Sequence, residues 1–301
     1  MSLLIQITFV AVAVALSCAI IGNFLVLQGK TMVSDAITHT VLLGIVIGFF
    51  ITKDLSSPLL MVGATIVGVI TVLAIEALRS TQLLDQDASI GIVFPFLFSI
   101  AIILLTRYAG DVHLDIDSVF MGQLGFTVFD RMVIAGHDIG PRAFWIAVVI
   151  FLVNLGYVLH FYKELKVSSF DPQYAHSLGI PTTFLHYGLM TLVSLTAVGA
   201  FEAAGSILVV GFMVGPALTA YLLSDRLSHV IVLSLIIAAF NAIVGVHLAY
   251  KMDLSYAGVI AVVTGIVAMI AFLFSPRKGH LRAWFNRRKR QHALNESIKN
   301  L

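Results

Sequence analysis

The chain has 301 residues, 59% of them hydrophobic and only 11% charged, with a net charge of +2 and a mean hydropathy of +1.01. An ordinary soluble domain is about 25% charged, so this composition excludes one and describes an integral membrane protein. One cysteine, Cys18, rules out a disulfide framework.

Runs long enough to span a bilayer lie near residues 3–28, 30–52, 58–78, 88–107, 143–163, 183–223, 228–249 and 254–275. They predict an all-α polytopic protein of eight or nine transmembrane helices, with one membrane domain over 1–275 and a basic tail over 276–301. The first run lacks a basic leader and is long enough to stay as a helix rather than be cleaved. Cys18 lies inside it, where a small packing residue is expected.

QGKT at residues 28–31 echoes the end of a phosphate-binding loop, but that pattern needs glycine five positions before the Gly-Lys pair, and Phe24 stands there. Any ATP hydrolysis must therefore come from another polypeptide.

The second run, MVSDAITHTVLLGIVIGFF, carries Asp35 and His39 one helical turn apart on a shared face. Thr31, Ser34 and Thr38 are expected to widen that face into a polar stripe. With a helix starting near Gly29 and Lys30, His39 lies roughly 15 Å deep, close to the middle of a hydrocarbon core about 30 Å thick. Ionisable side chains at that depth are costly and mark functional sites, and a carboxylate with an imidazole suits borderline divalent cations such as Zn2+ and Mn2+. The competing reading is an Asp–His pair that merely joins packed helices.

Residues 108–142 form a loop with Asp111, Asp115, Asp117, Asp130 and Asp138 against Arg131 and Arg142. Its acidity would gather cations at an outer entrance, with His113, Asp115 and Asp117 as entrance candidates, or simply keep the loop solvated.

In KELKVSSFDPQYAHSLGIP, residues 163–181, Asp171 is a good N-cap, Pro172 suits the first helical position, Gly179 the left-handed position after the helix, and Pro181 stops continuation. These signals predict a short helix of about two turns between two spans, either a plain capped loop or a lever that docks on an ATPase.

The run 183–223 would measure roughly 60 Å as one rod, about twice the hydrocarbon thickness, and Gly199-Ala-Phe-Glu202-Ala-Ala-Gly205 is the expected break. Broken helices are tolerated where they line a cavity or pack within protein, which makes Glu202 a metal-contact candidate or a residue of an outer turn. Gly215-Pro216 is expected to kink the following span and is a candidate gate or hinge. Glu76, His186, His247, Asn23, Asn154 and Asn241 are read as groups that satisfy backbone or bond between helices rather than as ligands.

The tail carries Arg277, Lys278, Arg282, Arg287, Arg288, Lys289, Arg290 and Lys299 against Glu296. Following a span directly, this is a topology anchor at an anionic inner leaflet and not a nucleic-acid patch. The C-terminus is then cytoplasmic, and nine spans place Lys30, Arg79, Lys163, Lys166 and Arg226 inside.

MVSDAITHTVLLG resembles the Ser-Asp-Ala-x-Ser-His segment of the manganese, zinc and iron ABC importer permeases, with Thr38 in place of the usual serine. DASIGIVFPFLFSIAIILL, SSFDPQYAHSLGIP and GSILVVGFMVGPALTAYLL resemble further blocks in the same order. The resemblance implies a permease of a prokaryotic cell (inner) membrane. It would pair with itself or a sister permease, with two cytoplasmic ATPase subunits that bind the ATP, and with an extracytoplasmic metal-binding protein. It also implies a transported ion, Mn2+ first and Zn2+ or Fe2+ as alternatives, with no permanently bound cofactor. Asp35 and His39 would contact the metal or form the outer gate, and the segment Asp171–Gly179 would couple to the ATPase. Some relatives carry a neutral residue at the position of Glu202. A proton-coupled secondary transporter would also use intramembrane Asp and His. An intramembrane metalloenzyme would need a third ligand, and no HExxH signature supplies one.

Overall fold

A computed structural model of the protein describes residues 2–53, 57–108, 122–134 and 137–275. Among them, eight helices are long and apolar enough to cross a membrane. They are α1 (Leu3–Leu27), α2 (Thr31–Thr52), α3 (Pro58–Ser80), α4 (Gln86–Tyr108), α5 (Arg142–His160), α8 (Thr182–Leu223), α9 (Leu227–Met252) and α10 (Tyr256–Phe274). Two short helices, α6 (Tyr162–Phe170) and α7 (Pro172–Ser177), connect α5 to α8, and an antiparallel hairpin of β1 (Arg131–Ile134) and β2 (His137–Pro141) precedes α5. The expected His113, Asp115 and Asp117 cluster and the basic tail lie outside the described residues.

A helix that is apolar all round is buried on all sides, and α1 follows that rule beyond its first two turns, where Leu3, Ile5 and Phe9 are exposed. Ile20, Ile21, Phe24 and Leu25 are fully buried, and α1 packs against α5, α8 and α9. Cys18 is buried among them. Buried polar side chains join these helices: the Asn23 amide donates to Ser234 Oγ at 2.8 Å, and the Asn154 amide donates to Thr196 Oγ1 at 2.8 Å and to the Ser17 carbonyl at 3.1 Å. Such bonds average about 0.6 kcal/mol inside membrane bundles. The Asn241 amide, by contrast, has no hydrogen-bond partner among the described residues. Around this core Ile66, Phe96, Val149, Phe240 and Met269 are exposed, as lipid-facing side chains are.

The 42-residue α8 is two arms, 182–204 and 206–223, that fold back on each other at Gly205. His186 in the first arm meets Lys30, which opens α2. Further on, Gly199 lies against Ile146 near the start of α5 and against Met61 near the start of α3. Beyond Gly205, the chain returns: Met213 packs against Gly22 near the end of α1, and α9 then starts at that same end, with Ser234 on Asn23. The eight helices of crossing length therefore give nine apolar segments, since α8 counts twice. The two ends of the bundle are marked by Lys30 and by Gly205.

The turn is made by a single residue. Gly205 has φ 72° and ψ 165°, a region almost reserved for glycine. Gly122, itself at φ 68°, packs directly on this corner: a Cβ there would come within 2.3 Å of the Ala204 carbonyl carbon. The turn that follows buries Leu124 and Val128 while Phe126 and Phe129 stay exposed. The hairpin closes the same end, where the Arg131 guanidinium bonds the exposed Asp138 carboxylate. That bond first, and the Gly140 N–H second, hold Asp138 below the usual carboxylate range.

Pro216 lies inside the second arm, and Gly205 is the residue of α8 with non-helical dihedrals. Gly215 gives room to α10, since a Cβ there would lie 2.2 Å from Thr264 Cγ2.

Gly205→Ala should lower stability by about 1–3 kcal/mol through backbone strain, and Gly122→Ala should also destabilise by separating two backbones. Gly265→Ala, where nothing lies within 4 Å, should leave the melting temperature near that of the parent. Thermal unfolding of the three variants in detergent checks this, and equal melting of all three would contradict the corner's role.

Candidate functional site

Asp35 and His39 lie on α2, about 6 and 12 Å along the axis from Thr31. His39 Nε2 is 3.5 Å from Asp35 Oδ1, and 20% of the His39 side chain and 41% of the Asp35 side chain remain accessible. That separation is an ion-pair distance, longer than a hydrogen bond of good geometry. α4 fixes the imidazole, with the rings of Phe94 and Phe98 centred 5.0 and 6.0 Å from it. Phe94 and Phe98 are one turn apart, so a single helical face supplies both.

The polar stripe is narrower than expected. Ser34 and Thr38 are fully buried, and their hydroxyls donate to the carbonyls of Thr31 and Asp35 at 2.7 and 2.8 Å. Short hydroxyl side chains in a helix commonly bond back one turn, which removes them from the accessible face. Asp35 and His39 keep accessible surface, as does Thr31 at the start of the helix.

Among the described residues no group of three or more His, Cys, Asp and Glu side chains comes together. A closed four-ligand structural site is therefore not formed by the described part of one chain, and the pair supplies two donors. Glu202 does not join them. It is exposed in the first arm of α8, about 30 Å along that arm from Thr182 and one turn before the Gly205 corner.

At the Lys30 end, α7 forms as its residues dictate. Asp171 Oδ1 accepts the Tyr174 N–H at 2.9 Å, with Pro172 in the first turn. Gly179, at φ 76°, closes the other end: its N–H donates to the His176 carbonyl, and the Ile180 N–H donates to the Ala175 carbonyl. These two bonds satisfy the orphan carbonyls in the Schellman manner. Ala175 is buried, while Phe170, Tyr174 and Leu178 are each more than half exposed. The unforeseen α6 is tied to the end of α1 by the Gln28 amide donating to Ser169 Oγ.

A second charged cluster was not legible in the sequence. Glu76 of α3, His186 of α8 and Lys30 meet at the Lys30 end, each side chain about one fifth to one quarter exposed. His186 Nε2 contacts Glu76 Oε1, Lys30 Nζ lies 3.3 Å from His186 Nδ1, and the Lys30–Glu76 pair spans 3.8 Å. Lys30 Nζ is also 3.4 Å from His186 Nε2, so the ammonium, the imidazole and the carboxylate form one compact three-way cluster. Burial pushes the Lys30 ammonium below its ordinary value, and Glu76 acts in the opposite sense. His186 and Glu76 are 110 residues apart, too far for any local periodicity to pair them. His247 rests on its own helix, its Nδ1 2.8 Å from the Ile243 carbonyl.

The chain is 42% identical over 268 residues to the manganese transport system membrane protein MntD of Bacillus subtilis (strain 168), covering 89% of this chain and 90% of that protein. It is 41% identical over 285 residues to the zinc transport system membrane protein TroD of Treponema pallidum (strain Nichols), covering 92% and 75% of the two chains. Among solved structures, PsaBC from Streptococcus pneumoniae in complex with Fab superposes with a TM-score of 0.78 at 25% identity, covering 94% of this chain and 95% of that one. The model of the ABC 3 transport family matches residues 1–275, a stretch that takes in all the membrane helices, and the chain belongs to that family.

Proposed function

We propose that the chain is the membrane-spanning permease subunit of an ATP-driven importer of divalent transition-metal ions, with Mn2+ the first cargo and Zn2+ or Fe2+ the alternatives. The observation that carries the reading is the Asp35–His39 pair, two metal-capable donors left accessible in an apolar helix. The names of the relatives, manganese and zinc transport proteins, agree with that donor chemistry.

ATP is bound and hydrolysed by cytoplasmic partner subunits, and α7 is their docking element. Its capped ends hold Tyr174 and Leu178 outward on a rigid turn. Orientation follows from the tail. Lys30, Arg79, Lys163, Lys166 and Arg226 lie at one end of the bundle and Lys53, Arg107, Arg131, Arg142 and Lys251 at the other, an even division. The eight basic residues of 276–301 break it and put the Lys30 end in the cytoplasm. The Gly205 end then faces outward, where an extracytoplasmic binding protein delivers the ion past Glu202. A second permease protomer completes the passage: two copies of the Asp35–His39 pair offer four donors, enough to replace lost water yet open enough to release the ion.

Asp35→Ala and His39→Ala should each reduce ATP-dependent Mn2+ uptake in proteoliposomes to the level seen without ATP, while the complex still assembles. Normal uptake by both would refute the pore assignment. Asp171→Ala and Gly179→Ala should each cost α7 about 1 kcal/mol, through a lost cap and a strained left-handed residue. Both should weaken co-purification of the ATPase; retention equal to the parent would remove α7 as the docking element.

A further inference from the structure

We propose that the Lys30–His186–Glu76 cluster is the mechanical link between α7 and the metal pair, with Glu76 as a positioning residue that acts through His186 and Lys30. The inference rests on the proposed roles of α7 and of Asp35 and His39.

The connection is short at every step. α7 ends at Gly179, Pro181 precedes the first arm of α8, and His186 lies about one turn into that arm. Lys30 stands immediately before α2 and five positions before Asp35, about 7.5 Å along the axis. Helices are stiff over such lengths, so a tilt or shift of α7 moves His186, and a shift of Lys30 moves the pair. Glu76, on a third helix, holds both.

The contacts themselves are suited to a discrete link. Apolar side chains such as Val33, Val72 and Met190 line the same recess, and apolar surfaces slide with little preference for one position. The Lys30–His186–Glu76 cluster joins three helices by short, charge-assisted contacts, which gives it a made and an unmade state. By contrast, the Asp35–His39 and Arg131–Asp138 pairs each stay within one helix or one hairpin. Lys30 and Glu76 also face each other directly at 3.8 Å, so exchanging the two residues keeps an ion pair across the same gap.

The test uses the complete transporter in proteoliposomes, with Mn2+ uptake and ATP hydrolysis read together. Glu76→Gln keeps the shape and removes the charge. It should assemble with the ATPase in normal amount and hydrolyse ATP near the parent rate, yet the Mn2+ moved per ATP should fall about tenfold, within the range of coupling between distant sites. Lys30→Gln, outside the spans, should do the same. The exchanged variant Lys30→Glu with Glu76→Lys should recover most of the ratio. A parental ratio in both single variants would overturn the link. So would loss of assembly by both, or a parallel fall in uptake and hydrolysis, because either is what a merely structural role gives. If the parent complex itself shows no ATP-driven uptake, the underlying transport reading falls; a competent parent with unaffected variants sinks the link alone.

Discussion

Hydrocarbon supplies no hydrogen-bond partner, so each buried peptide group must find one within the protein, and the rest of the bundle is arranged around Gly205, where the main chain departs from helix in the middle of a predicted span. At Gly205 two helical arms meet without a loop, and the ladder of i to i−4 bonds is interrupted there. The interruption is tolerated because the corner is covered: Gly122 lays backbone against backbone at Ala204 and Gly205, and Leu124 and Val128 seal it. Once the fold-back is made, the second arm lies against α1, and α9 and α10 wrap the outside of that pair. The position of every later element follows from that single residue.

Against this apolar background the charged side chains sort into two kinds. Lys30, His186 and Glu76 satisfy one another at the end of the bundle, each group matched to a donor or acceptor. Asp35 and His39 stand 3.5 Å apart deeper in the bundle, with the ring held from one side by Phe94 and Phe98. An ion needs donors that are both reachable and fixed in place. The α2 pair keeps accessible surface on both side chains, and aromatic packing limits where the ring can go.

Much of this was legible in the residues. The spans follow the apolar runs to within a few positions, since length and hydropathy alone settle them. α7 was legible to the residue because Asp171, Pro172, Gly179 and Pro181 each have a local reason to stand where they do. The broken helix was legible too, with Gly205 at the far end of the expected break. Other features depend on what arrives from elsewhere. Glu76 and His186 pair across 110 residues, and no local pattern joins them. Ser34 and Thr38 share a segment with Asp35, but the packing of α2 within the bundle buries them. The β1–β2 hairpin has strands of four and five residues with charged ends, too short for alternation to announce. Gly215 reads as a hinge beside Pro216, and the approach of Thr264 from α10 is a second demand on that position which no local pattern announces.

A connecting loop absorbs an added or missing residue by changing its path. A corner made by one residue cannot. One insertion between Gly205 and Met213 would rotate everything beyond it by about 100°, carrying Met213 away from Gly22 and Gly215 away from Thr264. Both contacts are made against bare backbone or a missing side chain, so neither has a flexible tip with which to recover. The length of this stretch is therefore as much a part of the protein's specification as any side chain on it.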